Sequence, residues 1–172
     1  MRQHAERPQP DGWQGRVAFI TGAATGIGLG VAQAFADAGM RLALSYRNEA
    51  DRARAAQWFV EHGHEAPLWL KLDVTDRARF AEVAEAVMAR FGAVHVLVNN
   101  AGVSVFGPTD EASHADYDWI MGVNFGGVAN GLVSFLPLLK AAATWSTSPA
   151  WPPSCPARRR ASTPPASSRC VG

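Results

Sequence analysis

The chain has 172 residues, 48% of them apolar, with 16 basic and 15 acidic side chains, enough to bury the core of one domain. The last acidic residue is Asp118, while Arg158, Arg159, Arg160 and Arg169 crowd the final stretch, so the body is mildly acidic and argues against a nucleic-acid footprint. Cys155 and Cys170 lie in that same stretch and His4, His62, His64, His95 and His114 are scattered, which leaves the body no disulfide, no cysteine zinc cluster and no histidine metal site.

Residues 1–14 read as a flexible leader without the apolar segment of a secretory signal. The most apolar span, 120–139, is broken by Asn124, Asn130 and several glycines, so a cytoplasmic protein without membrane contact is expected. "RVAFI" at 16–20 predicts a first strand, running into a glycine-rich turn at Thr21 and Gly22. Helical spacing follows through Ile27, Val31, Ala34 and Phe35, with a stop at Gly39. "RLALSY" at 41–46 is the second strand, and Asn48 caps a helix to about residue 62 that presents Ala53, Ala56, Phe59 and Val60.

A third strand, "PLWLKL", leads into Asp73, and Thr75 is placed to cap a helix over 76–91 whose apolar face is Phe80, Val83, Ala84 and Val87. "VHVLVN" is the fourth strand, ending at Asn99. Helices are expected near 111–121 and 124–142, the second with a kink at Pro137. Strands alternating with helices predict an α/β fold, a Rossmann-like doubly wound parallel sheet over 15–143, truncated after about four strands in the order 3-2-1-4. The fourth strand is then an uncovered edge, and Phe125, Leu132 and Phe135 are candidates for exposure. Residues 144–172 are rich in proline and serine, carry no acid and show no apolar period, so they read as a disordered tail.

"TGAATGIG" sets Gly22, Gly26 and Gly28 between a strand and a helix, where a tight turn, a close backbone approach and a helix N-terminus together suit a pyrophosphate. With "LDVTD" at 72–76, "NNAG" at 99–102 and "VN" at 123–124, each at a strand end or helix start, the chain resembles the short-chain dehydrogenase/reductase family over roughly residues 15–143. A sugar-nucleotide epimerase shares the strand-helix order, but "NNAG" points away from it.

The resemblance implies a nicotinamide dinucleotide cofactor and hydride transfer to or from a small alcohol or carbonyl. It implies cofactor contacts at Thr21, Gly22, Gly26, Ile27 and Gly28 around the pyrophosphate, at Asp73 and Val74 beside the adenine, and at Asn100, Ala101 and Gly102 beneath the ribose. NAD-preferring members carry an acid after the second strand; here Tyr46 and Arg47 stand there. A guanidinium receives a 2′-phosphate, so NADP is favoured, with NAD still open. Asp73 could equally cap a helix, and Arg47 could simply cover surface.

Asn124 resembles the asparagine of the family's catalytic tetrad. The serine, the tyrosine thirteen residues after it and the lysine four further on are absent: the last tyrosine is Tyr117 and the last lysine Lys140. The genetic code suggests why. Read one nucleotide earlier after Ala143, with suitable silent bases, the tail becomes a string that opens "HVVNIAS" and continues to "YTTSK", restoring all three groups at the family's spacing. Trp145 and Trp151 each have one codon, ending in G, and so contribute fixed first bases that, with Ser146 read from its TCN codon set, give valine and alanine in the shifted frame. Two functional readings stand: a short-chain oxidoreductase, inactive in this form and a homo-oligomer when complete, or a non-catalytic nucleotide-binding or dimer-partner protein.

Overall fold

The strands are short and apolar on both faces, which only a sheet covered on two sides accommodates. In the computed structural model, which describes residues 12–105, 107 and 109–142, they are β1 (Val17–Ile20), β2 (Arg41–Tyr46), β3 (Leu68–Lys71) and β4 (Val96–Val98). All pairings are parallel and the order is β3-β2-β1-β4, as the sequence predicts. Phe19 sits in register with Ala43 on one side and Leu97 on the other.

The helices α1 (Gly26–Asp37), α2 (Glu49–Glu61), α3 (Arg77–Phe91), α4 (His114–Met121) and α5 (Gly127–Ala142) complete the alternation. Because side chains alternate along a strand, Ala18 and Ile20 of β1 join Ala32, Ala36, Leu44 and Phe59 in the core under α1 and α2. Val17 and Phe19 join Phe80, Val83, Val87 and Phe135 in the core under α3 and α5. The Phe19 and Phe135 rings stack at 4.4 Å, with Phe80 edge-on to both.

Several boundaries and faces differ from the sequence expectation. α1 buries Gly28, Ala32 and Ala36, and Ile27 is 81% exposed: the helix lies so close to the sheet that only small residues fit beneath it. α2 buries Ala55 and Phe59 and leaves Ala53 and Val60 exposed. Asp76, rather than Thr75, caps α3 by accepting the Arg79 N–H, while Thr75 turns back to Asp73. Phe135, expected among exposed residues, is fully buried, whereas Phe125 and Leu132 do lie exposed.

Asn48 caps α2, Gly92 ends α3 in the left-handed conformation, and α3 buries the four residues its period predicted. α4, capped reciprocally by Ser113 and Asp116, runs through a π-helical turn at Gly122–Gly126 into α5. The combined helix His114–Ala142 is long and apolar enough to cross a membrane, yet Asn130 Nδ2 donates to the Val74 carbonyl at 2.9 Å and Phe135 fills the core. The helix is thus a layer of this domain. The leader through residue 11, the tail from Ala143, and Phe106 and Pro108 lie outside the described residues.

Gly131 of α5 faces Asn99 at the end of β4; a Cβ there would lie 2.3 Å from Asn99 Oδ1, a buried atom without a hydrogen-bond partner. Gly131→Ala should therefore cost about 1–3 kcal/mol by overpacking. Phe135→Ala, which empties the space against Phe19, should cost about 3–5 kcal/mol. Urea unfolding followed by circular dichroism measures both, and a Phe135→Ala chain as stable as the parent would contradict the packing described.

Candidate functional site

The carboxyl end of β1 opens into the glycine turn, and its geometry is set by side chains from β2 and the β4 end. Thr21, 2% exposed, accepts the N–H of Asn100 at 2.9 Å and of Ala101 at 3.0 Å on its hydroxyl. Asn100 returns its amide Nδ2 to the carbonyls of Thr21 at 2.9 Å and Gly22 at 3.2 Å. Gly22 adopts φ +64°, and a Cβ there would press on Ala101 Cα at 3.1 Å. A Cβ on Gly28 would lie 2.4 Å from Asn100 Nδ2, so α1 approaches the turn only because that position is bare.

Gly26 differs from both. Its φ is +56°, and nothing lies within 4 Å of where a Cβ would stand. Thr25, the N-cap of α1, makes no side-chain capping bond, whereas Asn48, Asp76 and Ser113 cap the helices that follow. No acidic residue occupies the first turn of α1. The helix therefore presents amide donors and the positive end of its dipole to an open space.

That space is a cleft of about 670 Å³ across the carboxyl ends of the strands. Gly22, Gly26 and Ile27 form one wall, Arg47 stands at the β2 end, Asp73 and Val74 follow β3, and Asn100, Ala101 and Gly102 follow β4. The structure thus gathers these sequence-selected residues in one place. Thr21, Gly28 and Asn124 do not line the cleft and act on it through neighbours. Sequence reading missed Ser45, Asn48, Asp51 and Leu72, which also line it.

Asp73 Oδ1 accepts the Thr75 N–H at 3.0 Å and the Thr75 hydroxyl at 2.8 Å. These two bonds, with a smaller contribution from the Arg47 guanidinium, hold its carboxyl below the ordinary carboxylate range. Burial, and then the hydrogen bond to Glu49, push the Tyr46 phenol up, so it stays protonated. The Arg52 guanidinium lies 5.8 Å from the Tyr46 ring centre and Trp69 packs edge-on to it.

Asn124 sits in the π turn. Its Oδ1 accepts the Val103 N–H at 2.8 Å and its Nδ2 donates to the Val103 carbonyl at 2.9 Å, so the side chain clips the loop that leaves Gly102. Tyr117 and Lys140 are exposed and do not line the cleft. Among the described residues no group of three metal-ligating side chains occurs.

The Thr75 clasp predicts a sign for the Asp73 titration. A depressed folded value means the clasp contributes in full above the ordinary carboxylate value and is lost as pH falls through the depressed one. Thr75→Val removes the hydroxyl donor and keeps the N–H, so the Asp73 pKa read by NMR should rise part of the way toward that of an unperturbed carboxylate; an unmoved pKa would leave the Thr75 N–H as the only part of the clasp that lowers it.

The model of the short chain dehydrogenase family matches residues 16–145. The chain is 40% identical over 131 residues to the C alpha-dehydrogenase of Sphingobium sp. strain SYK-6, covering 73% of this chain and 41% of that protein. It is 41% identical over 114 residues to the D-threitol dehydrogenase of Mycolicibacterium smegmatis, covering 66% and 43%. The chain thus spans less than half the length of these curated relatives. Among solved structures, the LigD apo form from Sphingobium sp. strain SYK-6 superposes with a TM-score of 0.71 at 39% identity, covering 75% of this chain and 55% of that one. A short-chain dehydrogenase/reductase from Burkholderia phymatum in complex with NAD superposes at 0.70 and 38% identity, covering 74% and 45%. With its parallel sheet, its glycine turn and this match across most of its length, the chain belongs to the short-chain dehydrogenase family.

Proposed function

We propose that this chain is the nucleotide-binding half of an NADP(H)-dependent short-chain oxidoreductase acting on a small alcohol or carbonyl compound. The observation that carries the reading is the uncapped N-terminus of α1 beneath the open cradle at Gly26, at one end of a cleft whose other end holds Arg47. The residues fit a dinucleotide. Gly26 and Ile27 would take the pyrophosphate on backbone amides, with Gly22 and Gly28 shaping the turn that Thr21 and Asn100 brace. Asp73 and Val74 would flank the adenine, Asn100 to Gly102 would underlie the ribose, and Arg47 would bind a 2′-phosphate. When bound, the nicotinamide supplies hydride transfer, which no side chain can do. The residues present would bind and orient it; Asn124 holds the loop that follows Gly102 in place.

The family's serine, tyrosine and lysine do not occur at their spacing in this chain, and residues 144–172 are a shifted translation of the segment that encodes them. Proton transfer to or from substrate then lacks its acid and base, and this chain has little or no dehydrogenase turnover. Supporting a dimer-partner role, alone or with the complete form, Trp119, Met121, Phe125, Leu132, Val133 and Leu136 leave a broad apolar face open on α4, the π turn and α5, suited to a second copy. Neither nucleic acid nor a membrane is a proposed partner, and the proposed compartment is the cytoplasm.

Calorimetric titration tests the cofactor assignment. NADP(H) should bind more tightly than NAD(H). Arg47→Ala should weaken NADP(H) by about tenfold or more, the scale of a charged hydrogen bond, and leave NAD(H) within about twofold. Equal losses for both would assign Arg47 no part in the choice. Sequencing the gene past codon 140 tests the tail: an open shifted frame carrying the serine, tyrosine and lysine is expected, and a frame closed by stops would make residues 144–172 genuine and favour the non-catalytic reading.

A further inference from the structure

The two amides that follow Thr21 in the glycine turn are both taken by one residue of the neighbouring strand. Gly22 N–H donates to Ser45 Oγ at 3.1 Å, and Ala23 N–H donates to the Ser45 carbonyl at 2.9 Å. Ser45 is 1% exposed, and it directly precedes Tyr46 and Arg47, which line the far end of the cleft. One buried residue therefore ties the pyrophosphate turn to the segment that would read the ribose.

Its chemistry is not that of filler. Leu42, Ala43 and Leu44 make the rest of buried β2 apolar, and a hydroxyl placed among them is costly unless it is bonded. Its partner is a residue whose other backbone group is bound as well: Asn100 Nδ2 donates to the Gly22 carbonyl, and also to the Thr21 carbonyl of the peptide that Ser45 holds. With N–H and C=O both engaged, Gly22 sets the shape of the turn and is spent as an anion donor. The donors left free of side-chain caps lie further on, at the start of α1.

We propose that Ser45 is a positioning residue that holds the glycine turn at a fixed distance from the ribose-reading end of β2, so that a dinucleotide's pyrophosphate and its 2′-phosphorylated ribose engage together. This rests on the nucleotide-binding reading above. It separates two classes of ligand. A dinucleotide needs both ends of the cleft in register, whereas adenosine 2′-monophosphate needs only the ribose and adenine end.

The experiment uses the full 172-residue chain, Ser45→Ala and Ser45→Thr, with amide exchange by NMR and titration of NADP and adenosine 2′-monophosphate. In Ser45→Ala the Gly22 amide should exchange about tenfold faster or more while the Phe80 and Val83 amides keep their rates. NADP should bind about tenfold more weakly, the size of one lost hydrogen bond to a constrained group, and adenosine 2′-monophosphate within about twofold of the parent. Ser45→Thr, which keeps the hydroxyl, should recover both. An unchanged Gly22 exchange rate overturns the anchor, whatever the parent chain binds. Core amides accelerating along with Gly22, or both ligands weakening in parallel, reduce Ser45 to an ordinary core position. A parent chain that binds neither nucleotide overturns the nucleotide reading instead, and the exchange rates still decide whether Ser45 pins the turn.

Discussion

The amide of Asn100 is the joint on which the working end of the sheet depends. It reaches from the end of β4 to two successive carbonyls, those of Thr21 and Gly22, while its own backbone N–H is received by the Thr21 hydroxyl. A parallel sheet leaves its carboxyl ends splayed by twist, and a reciprocal bond between the ends of two strands fixes their separation. The bare position of Gly28 follows from it, because any side chain there would strike the same amide. The depth at which α1 lies is thus set by a side chain that follows another strand, β4.

The layering was legible because each surface keeps its own period. Phe80, Val83, Ala84 and Val87 recur at helical spacing and all are buried in α3. "RLALSY" reads as a strand and spans the observed β2 to the residue. The glycine spacing, the asparagine pair and the aspartate after β3 sit where chain direction reverses, and topology brings those reversals to one crevice. Local pattern and global fold agree there.

What escaped the reading did so for physical reasons. α1 inverts part of the usual rule: it buries Gly28, Ala32 and Ala36 most deeply and turns the bulkier Ile27 outward, while Val31 and Phe35 pack against the same core half-buried, so ranking residues by hydrophobicity finds only part of the stripe. Ser45 has no motif around it, and its importance arises from a contact 23 residues back along the chain. Phe135 looks no different in sequence from Phe125, yet one stacks in the core and the other is 67% exposed, a choice made by helix rotation. Thr75 and Asp76 are both competent caps, and the carboxylate of Asp73 decided between them by claiming the threonine.

The π turn between α4 and α5 works as a phase shifter. A regular α-helix repeats its faces every 3.6 residues, and one wide turn inserts an extra residue without breaking the rod. Residues after Gly126 are therefore out of step with those before Gly122, which lets Asn124 address the Val103 backbone while Gly131 and Phe135 still address the sheet. The loop contact of the π turn and the core contacts of α5 are carried on one rod without a hinge. Losing a single residue there would bring the two halves back into step and force a choice between the loop and the core.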